Sequence, residues 1–317
     1  MHINSVLGTI DTTELGQVLV HEHVTCADWS MKMNFGKKFF DRDEVIKTAV
    51  YVFGEAKKCG ISTVVDGTPV NLGRDIPLIR EVAKKTGMNF IVSSGFYYQE
   101  EPWLKARTIE EIYDFLIGEC NEGIAGTGVL PGIMKCAADV DGVTPLMERL
   151  LTATGRVAVE KNLPIFCHTA PKQHSGDKAL EVLMATGVAS NRIILGHSGD
   201  TSDVDYLETL LKRGAWLGLD RFGMSDYCDP PYDPNGIAII VELVARGWVD
   251  KLLLSHDTAA YLAFGIKGEP NYENRKDKLV FTRIHKVVIP AIKKLGITDE
   301  QINTMLVENP RRFFEGL

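Results

Sequence analysis

A (β/α)8 TIM barrel with helical additions at its C-terminus is the fold the 317 residues predict. Three observations carry that expectation. Short runs of β-branched and apolar residues alternate with longer segments of helical periodicity, which is the pattern of a parallel sheet with crossover helices. Eight such runs can be counted, the number that closes a barrel. The first run leads into His21-Glu22-His23, where an open doubly wound sheet would call for a glycine-rich phosphate loop.

In chain order the runs are Val18-Leu19-Val20, Thr63-Val64-Val65-Asp66, Phe90-Ile91-Val92-Ser93 and Gly132-Ile133-Met134-Lys135. Ile165-Phe166-Cys167-His168, Ile193-Ile194-Leu195-Gly196-His197, Trp216-Leu217-Gly218-Leu219 and Leu252-Leu253-Leu254-Ser255 complete the set. Apolar spacings of three and four predict the helices between them at 44–58, 75–85, 109–122, 145–161, 178–184, 206–212 and 237–245. A long loop at 259–278 is expected after the eighth strand, then helices at 280–294 and 299–308 that cap the barrel. No low-complexity tract or Pro/Gly/Ser linker interrupts the series, so 1–317 reads as one domain.

With 45% hydrophobic and 24% charged residues the chain has ample material for a core. The net charge of -7 argues against a nucleic-acid partner and for a small molecule. No basic stretch followed by an apolar run opens the chain, and no uninterrupted apolar segment is long enough to span a bilayer, so no membrane association and a cytoplasmic location are expected. Six cysteines scattered without CxxC pairs read as reduced thiols.

In a barrel of this kind the functional groups sit at the C-terminal ends of the strands. His21 and His23 follow the first run, and period-two geometry turns both rings to one face with Glu22 pointing away. His168 ends the fifth run, His197 the sixth, and Asp257 lies just past the eighth. A single buried histidine usually only satisfies a hydrogen bond, and an aspartate after a strand often caps a helix. Four strand ends carrying these types together point to a shared centre instead. Imidazoles plus carboxylate, without clustered thiols, suit an open catalytic site for zinc or its first-row neighbours. By the same alternation Cys167 and His256 face the helical layer and are no ligands.

Lys135 ends the apolar run of the fourth strand beside this cluster. A protonated ammonium there would repel cations, so either its pKa is depressed or the neutral amine captures carbon dioxide as a carbamate able to bridge two metals. The carbamate fits the surroundings better.

The ordered set His21-Glu22-His23, Lys135, His168, Gly196-His197 and Ser255-His256-Asp257 resembles the phosphotriesterase family of the amidohydrolase superfamily, and among its branches the phosphotriesterase-like lactonases. The likeness extends to Val64-Val65-Asp66, Gly73-Arg74, Ser94-Gly95-Phe96-Tyr97, Gly218-Leu219-Asp220-Arg221-Phe222-Gly223 and Glu308-Asn309-Pro310-Arg311-Arg312-Phe313-Phe314, nearly the whole chain. The resemblance implies that His21, His23 and Asp257 hold a more buried divalent metal and His168 and His197 a more exposed one, with carboxylated Lys135 bridging both. It implies a hydroxide shared by the metals as nucleophile and Asp257 as its proton acceptor, while the His and carboxylate ligands suit zinc first and accept cobalt, manganese or iron. Tyr97 matches the tyrosine beside the reacting centre of the lactonases, and Arg221 the arginine of the pocket entrance, with Asp200 as its expected partner. A homodimer is implied as well.

The expected activity is lactone opening, with promiscuous hydrolysis of organophosphate esters. Rival readings are a principal phosphotriesterase, a lactonase for phosphorylated sugar lactones, an amide hydrolase, and a non-catalytic barrel whose sign would be lost ligands. Substrate choice is expected in the loops 97–107, 221–235 and 259–278, with Trp103, Phe222, Tyr227 and Tyr261 as candidate apolar walls, each explained equally well by core or loop packing. Lys267, Arg275, Lys276 and Lys278 crowd the last loop, most simply as a solvated face, though one open to a substrate phosphate. His2, His174 and His285 lack strand-end context and read as surface residues.

Overall fold

The computed structural model describes residues 1–224, 231–264, 269–270 and 280–317. Eight strands form the barrel wall: β1 (Gln17–Ala27), β2 (Ile61–Asp66), β3 (Asn89–Gly95), β4 (Ile133–Ala138), β5 (Ile165–Thr169), β6 (Ile193–Leu195), β7 (Trp216–Leu219) and β8 (Leu252–Leu254). Each pairs in parallel with the next from β1 to β8. Helices including Arg42–Lys58, Ile76–Thr86, Ile109–Glu122, Pro145–Lys161, Ser175–Ala185, Val204–Lys212 and Tyr232–Ala245 make the crossovers. The barrel predicted from the sequence is the fold observed.

Closure against β1 differs from the expected loop. Asp257 N donates to His21 O at 3.0 Å and His23 N to Thr258 O at 2.9 Å. The chain then resumes as β9 (Ala259–Ala263), parallel to the upper half of β1 with Ala259 opposite His23, and a short antiparallel β10 (Glu269–Pro270) follows it. The eighth wall is therefore two strand segments broken at 255–258. The Ala-Ala-Tyr-Leu-Ala composition of β9 carries too little β-branched signal to be read as a strand.

Two apolar layers follow from the alternation of side chains. Val18, Val20, Val65, Ile91, Ile133, Phe166, Ile194, Trp216 and Leu253 fill the barrel interior, and Ile3, Leu15, Phe313 and Phe314 join them as a plug. Leu19, Val64, Met134, Cys167, Leu195, Leu217 and Leu254 face the helices. The plug comes from an N-terminal hairpin, His2–Ser5 with Gly8–Asp11, that is too short to be legible in the sequence, and from the C-terminal helix Asn309–Glu315. The expected C-terminal helices are broken by π-turns at Ile284–Val288 and Thr304–Glu308, and the second continues seven residues further than expected, to Glu315. No helix among the described residues is long and apolar enough to cross a membrane.

Three side-chain expectations are corrected by packing. Phe222 is buried against Tyr232, and Tyr261 packs on Phe40 and donates to Glu44 at 3.1 Å, so both belong to the strand–helix core instead of a pocket wall. His285 is partly buried with Nε2 2.8 Å from Gln17 Oε1, and burial, then the neighbouring His256, lowers its pKa to about 4. His2 is exposed as expected, while His174 stacks on Tyr206 with ring centroids 3.9 Å apart. Trp103 lies half exposed in a groove beside Phe96 and Phe115 that holds none of the candidate ligands. Tyr227 and the basic side chains at 267–278 lie outside the described residues.

Candidate metal centre

Alternation along β1 would not by itself place His21 in the mouth. Val18 and Val20 point inward, so the next inward position is 22. Between Leu19, paired with Val64, and Glu22, paired with Asp66, β1 carries one extra residue. This bulge re-aims the strand so that His21 and His23 face the axis and Glu22 turns outward. Buried Glu22 there accepts from Ser255 Oγ at 2.8 Å and from His256 N at 2.9 Å, and its carboxylate lies 2.6 Å from His256 Nδ1, which locks β1 to the segment after β8.

Lys135 follows the plain alternation of β4, inward between outward Met134 and Cys136. His168 does the same on β5. Just past β6 the inward position is Gly196, where an added Cβ would meet the Phe166 ring at 2.5 Å, so no side chain fits. His197 comes next and is brought inward by a left-handed backbone, φ 62°. Asp257 has φ 49°. Neither residue type escapes the steric cost of that region, of order 1–3 kcal/mol each, so the surrounding structure holds them there.

All six predicted ligands meet at the mouth. Lys135 Nζ, 1% exposed, lies 2.9 Å from His21 Nε2 and 4.2 Å above the Phe166 ring that floors the site. Asp257 Oδ1 is 3.4 Å from His21 Nε2 and 3.2 Å from His23 Nε2. His197 Nε2 and His168 Nδ1 approach to 2.6 Å. Tyr97 OH is 3.4 Å from the same His168 Nδ1. Arg221 Nε donates to Asp257 Oδ2 at 3.0 Å and its Nη1 pairs with Asp200, the partner expected from the sequence.

Several residues of the centre were given no role by the sequence reading. Asp220 is fully buried behind the rings, 2.9 Å from His21 Nδ1 and 3.2 Å from His197 Nδ1, and it accepts from His197 N at 2.7 Å. Thr68 Oγ1 sits 2.8 Å from His23 Nδ1. These partners fix ring orientation and leave each Nε2 free to face the centre. Asp220 was recoverable, because Trp216, Gly218 and Asp220 share the inward face of β7. His21, His197 and Asp220 also have ligand atoms within 4.8 Å of one another, as do His21, His23 and Asp257. The first trio uses the Nδ1 atoms on the wall side and an aspartate already engaged by three groups, so the second is the better cation site.

The donor set fits divalent cations. His197 Nε2 and His168 Nδ1 face each other at 2.6 Å, and in the tautomers that give His197 Nδ1–H to Asp220 and His168 Nε2–H to Asp139 both would offer lone pairs to a cation. A shared positive charge between them removes the repulsion of those lone pairs. Burial, then the charge of Lys135, lowers His21 to about 3, and burial lowers Lys135 itself to about 8. Burial opposes the anionic form of Asp257, yet the neighbouring His21, His197, His23 and Arg221 together hold its carboxyl well below the usual range. Tyr97 is pushed well above the ordinary phenol value, by burial first and then by Asp257.

Imidazoles and a carboxylate gathered round a buried lysine at the C-terminal mouth of a (β/α)8 barrel define a metal-dependent hydrolase. The model of the phosphotriesterase family matches residues 1–314, and the chain belongs to that family. It is 38% identical over 322 residues to a phosphotriesterase homology protein of Mycobacterium tuberculosis, covering 99% of this chain and 97% of that one. An aryldialkylphosphatase of Saccharolobus solfataricus is 32% identical over 309 residues, covering 96% and 97%. The solved structure of the phosphotriesterase from Mycobacterium tuberculosis superposes with a TM-score of 0.89 at 35% identity, covering 99% and 98%.

Proposed function

We propose that the chain opens lactones at a pair of divalent cations and turns over phosphotriesters more slowly at the same centre. The convergence of six ligand-type side chains on one buried point, with the Tyr97 phenol beside it, is the observation that supports this reading. His21, His23 and Asp257 are the residues to hold the inner cation and His168 and His197 the outer one, with Lys135 joining them as a carbamate. When bound, zinc or a first-row neighbour supplies a water of lowered pKa and a Lewis acid for the ester oxygen.

The chain's own groups do the rest. Neutral Lys135 Nζ adds to the carbon of carbon dioxide, forming an N–C bond and releasing one proton. With a pKa of about 8, roughly a tenth of the lysine is neutral at pH 7. Asp257 Oδ2 is oriented by Arg221, which Asp200 anchors in turn, so the carboxylate keeps its position while it accepts the proton of the attacking water and passes it to the leaving alkoxide. Tyr97 keeps its proton, and its O–H donates to the lactone ring.

The relatives supply the rival substrates. One is named an aryldialkylphosphatase, and one from Salmo salar, 24% identical, an N-acetyltaurine hydrolase. Steady-state rates on acyl-chain lactones, a phosphorylated sugar lactone, a dialkyl aryl phosphate and an N-acyl amide separate them. The lactones are expected to exceed the phosphotriester in kcat/KM by at least about tenfold, or ~1.4 kcal/mol. If simple lactones turn over no faster than buffer while the phosphorylated one does, the apolar-lactone reading falls and the basic residues at 267–278 acquire a role.

A further inference from the structure

His168 is turned the opposite way from the other three histidines. His21, His23 and His197 give their Nδ1 atoms to Asp220 or Thr68 and present Nε2 to the centre. His168 presents Nδ1 to His197 and Tyr97, and its Nε2 is buried and makes no hydrogen bond. Facing that nitrogen at 3.4 Å is a carboxylate oxygen of Asp139. His168 is buried and Asp139 only partly exposed, so a charge at that range still biases which ring nitrogen carries the proton.

Asp139 is built to stay there. It is the first residue past β4, and its backbone is pinned by a bridge to Gly142, whose N–H donates to Asp139 O at 2.8 Å. Tyr98 packs along the open side of the imidazole, with ring centroids 5.5 Å apart and planes 30° apart, while Tyr97 meets the same ring edge-on at 4.9 Å and 81°. Asp139 cannot share a cation with His168, because it stands on the far side of the ring from Nδ1.

We infer that Asp139 is a positioning residue that fixes the Nε2–H tautomer and the rotamer of His168, and through it decides the occupancy of the outer cation position alone, with the Tyr98 ring holding the imidazole against rotation. The inference rests on the two-cation reading above.

The test is metal retention by the whole chain loaded with cobalt, comparing wild type, Asp139→Asn, Asp139→Glu and Tyr98→Phe. Cobalt per chain after gel filtration and the time course of its removal by dipicolinate are measured, with long-range 1H–15N spectra of the imidazoles in the metal-free protein. The expected results are two phases of release from wild type, one of them faster by about 10- to 100-fold in Asp139→Asn with the other unchanged. His168 should move from the Nε2–H form in that variant while the other histidines keep theirs. Asp139→Glu should restore part of the slow release, and Tyr98→Phe, which keeps the ring and removes only the hydroxyl that hydrogen-bonds Asp139, should accelerate the same phase by less than Asp139→Asn does. Release at wild-type rates from Asp139→Asn, or equal acceleration of both phases, overturns the inference. Wild-type protein that binds fewer than two ions overturns the two-cation reading itself, which keeps the two failures distinct.

Discussion

Asp257→Asn is expected to fold as the wild type does and to lose about 10³-fold in kcat, a barrier increase of ~4 kcal/mol. The amide is nearly isosteric, so Arg221 and the His23 side of the pocket keep a neighbour at 3.0–3.2 Å, but the oxygen that accepts the proton has become at best a weak acceptor. The left-handed backbone at 257 favours the exchange structurally, since Asn tolerates that region as well as Asp. Circular dichroism and thermal melting should therefore match wild type while turnover of every substrate class falls together. A loss confined to KM would mean that Asp257 binds substrate and moves no proton.

Lys135→Ala should lose both metal and activity, the latter by more than about 10²-fold, because the one buried amine at the centre among the described residues is removed while the histidines remain. The methyl side chain leaves a space above Phe166 where a small carboxylate fits, and acetate or propionate with added metal is expected to restore part of the rate. With metal added and dissolved carbon dioxide held at one concentration, wild-type metal-free protein should in turn regain activity faster at pH 8 than at pH 6. The sign follows from the direction of the shift: burial lowers Lys135 to about 8, so its reactive neutral form rises about tenfold per pH unit below that value. Faster recovery at pH 6, or wild-type activity in Lys135→Ala, removes the carbamate from the account.

Much of this centre could be read from the sequence because a barrel turns position into function: a histidine that ends a strand of such a fold stands at the mouth. His168 and Lys135, predicted from their places at the ends of their runs, are turned inward by plain alternation. His21 and His197 reach the expected place for reasons the alternation does not contain, a bulge in β1 and a left-handed residue after β6. The bulge is a pairing property of two strands and leaves no mark in the local residues of one. Alternation along β7 made Asp220 recoverable, but Asp139, just past β4, acts through a histidine, and no residue-type pattern distinguishes such a carboxylate from a helix cap. For Phe222 and Tyr261 the sequence left pocket wall and core packing open, because an aromatic near a strand end packs equally well under the helices, which is where both are found.

Anomalous diffraction from crystals grown with zinc, recorded on both sides of the metal edge, tests the central claim most directly. Two peaks per chain are expected, one among His21, His23 and Asp257 and one between His168 and His197, with density for three additional atoms beyond Lys135 Nζ that reaches toward both. A single peak, an empty mouth in protein saturated with metal, or a bare lysine amine between two ions would contradict it.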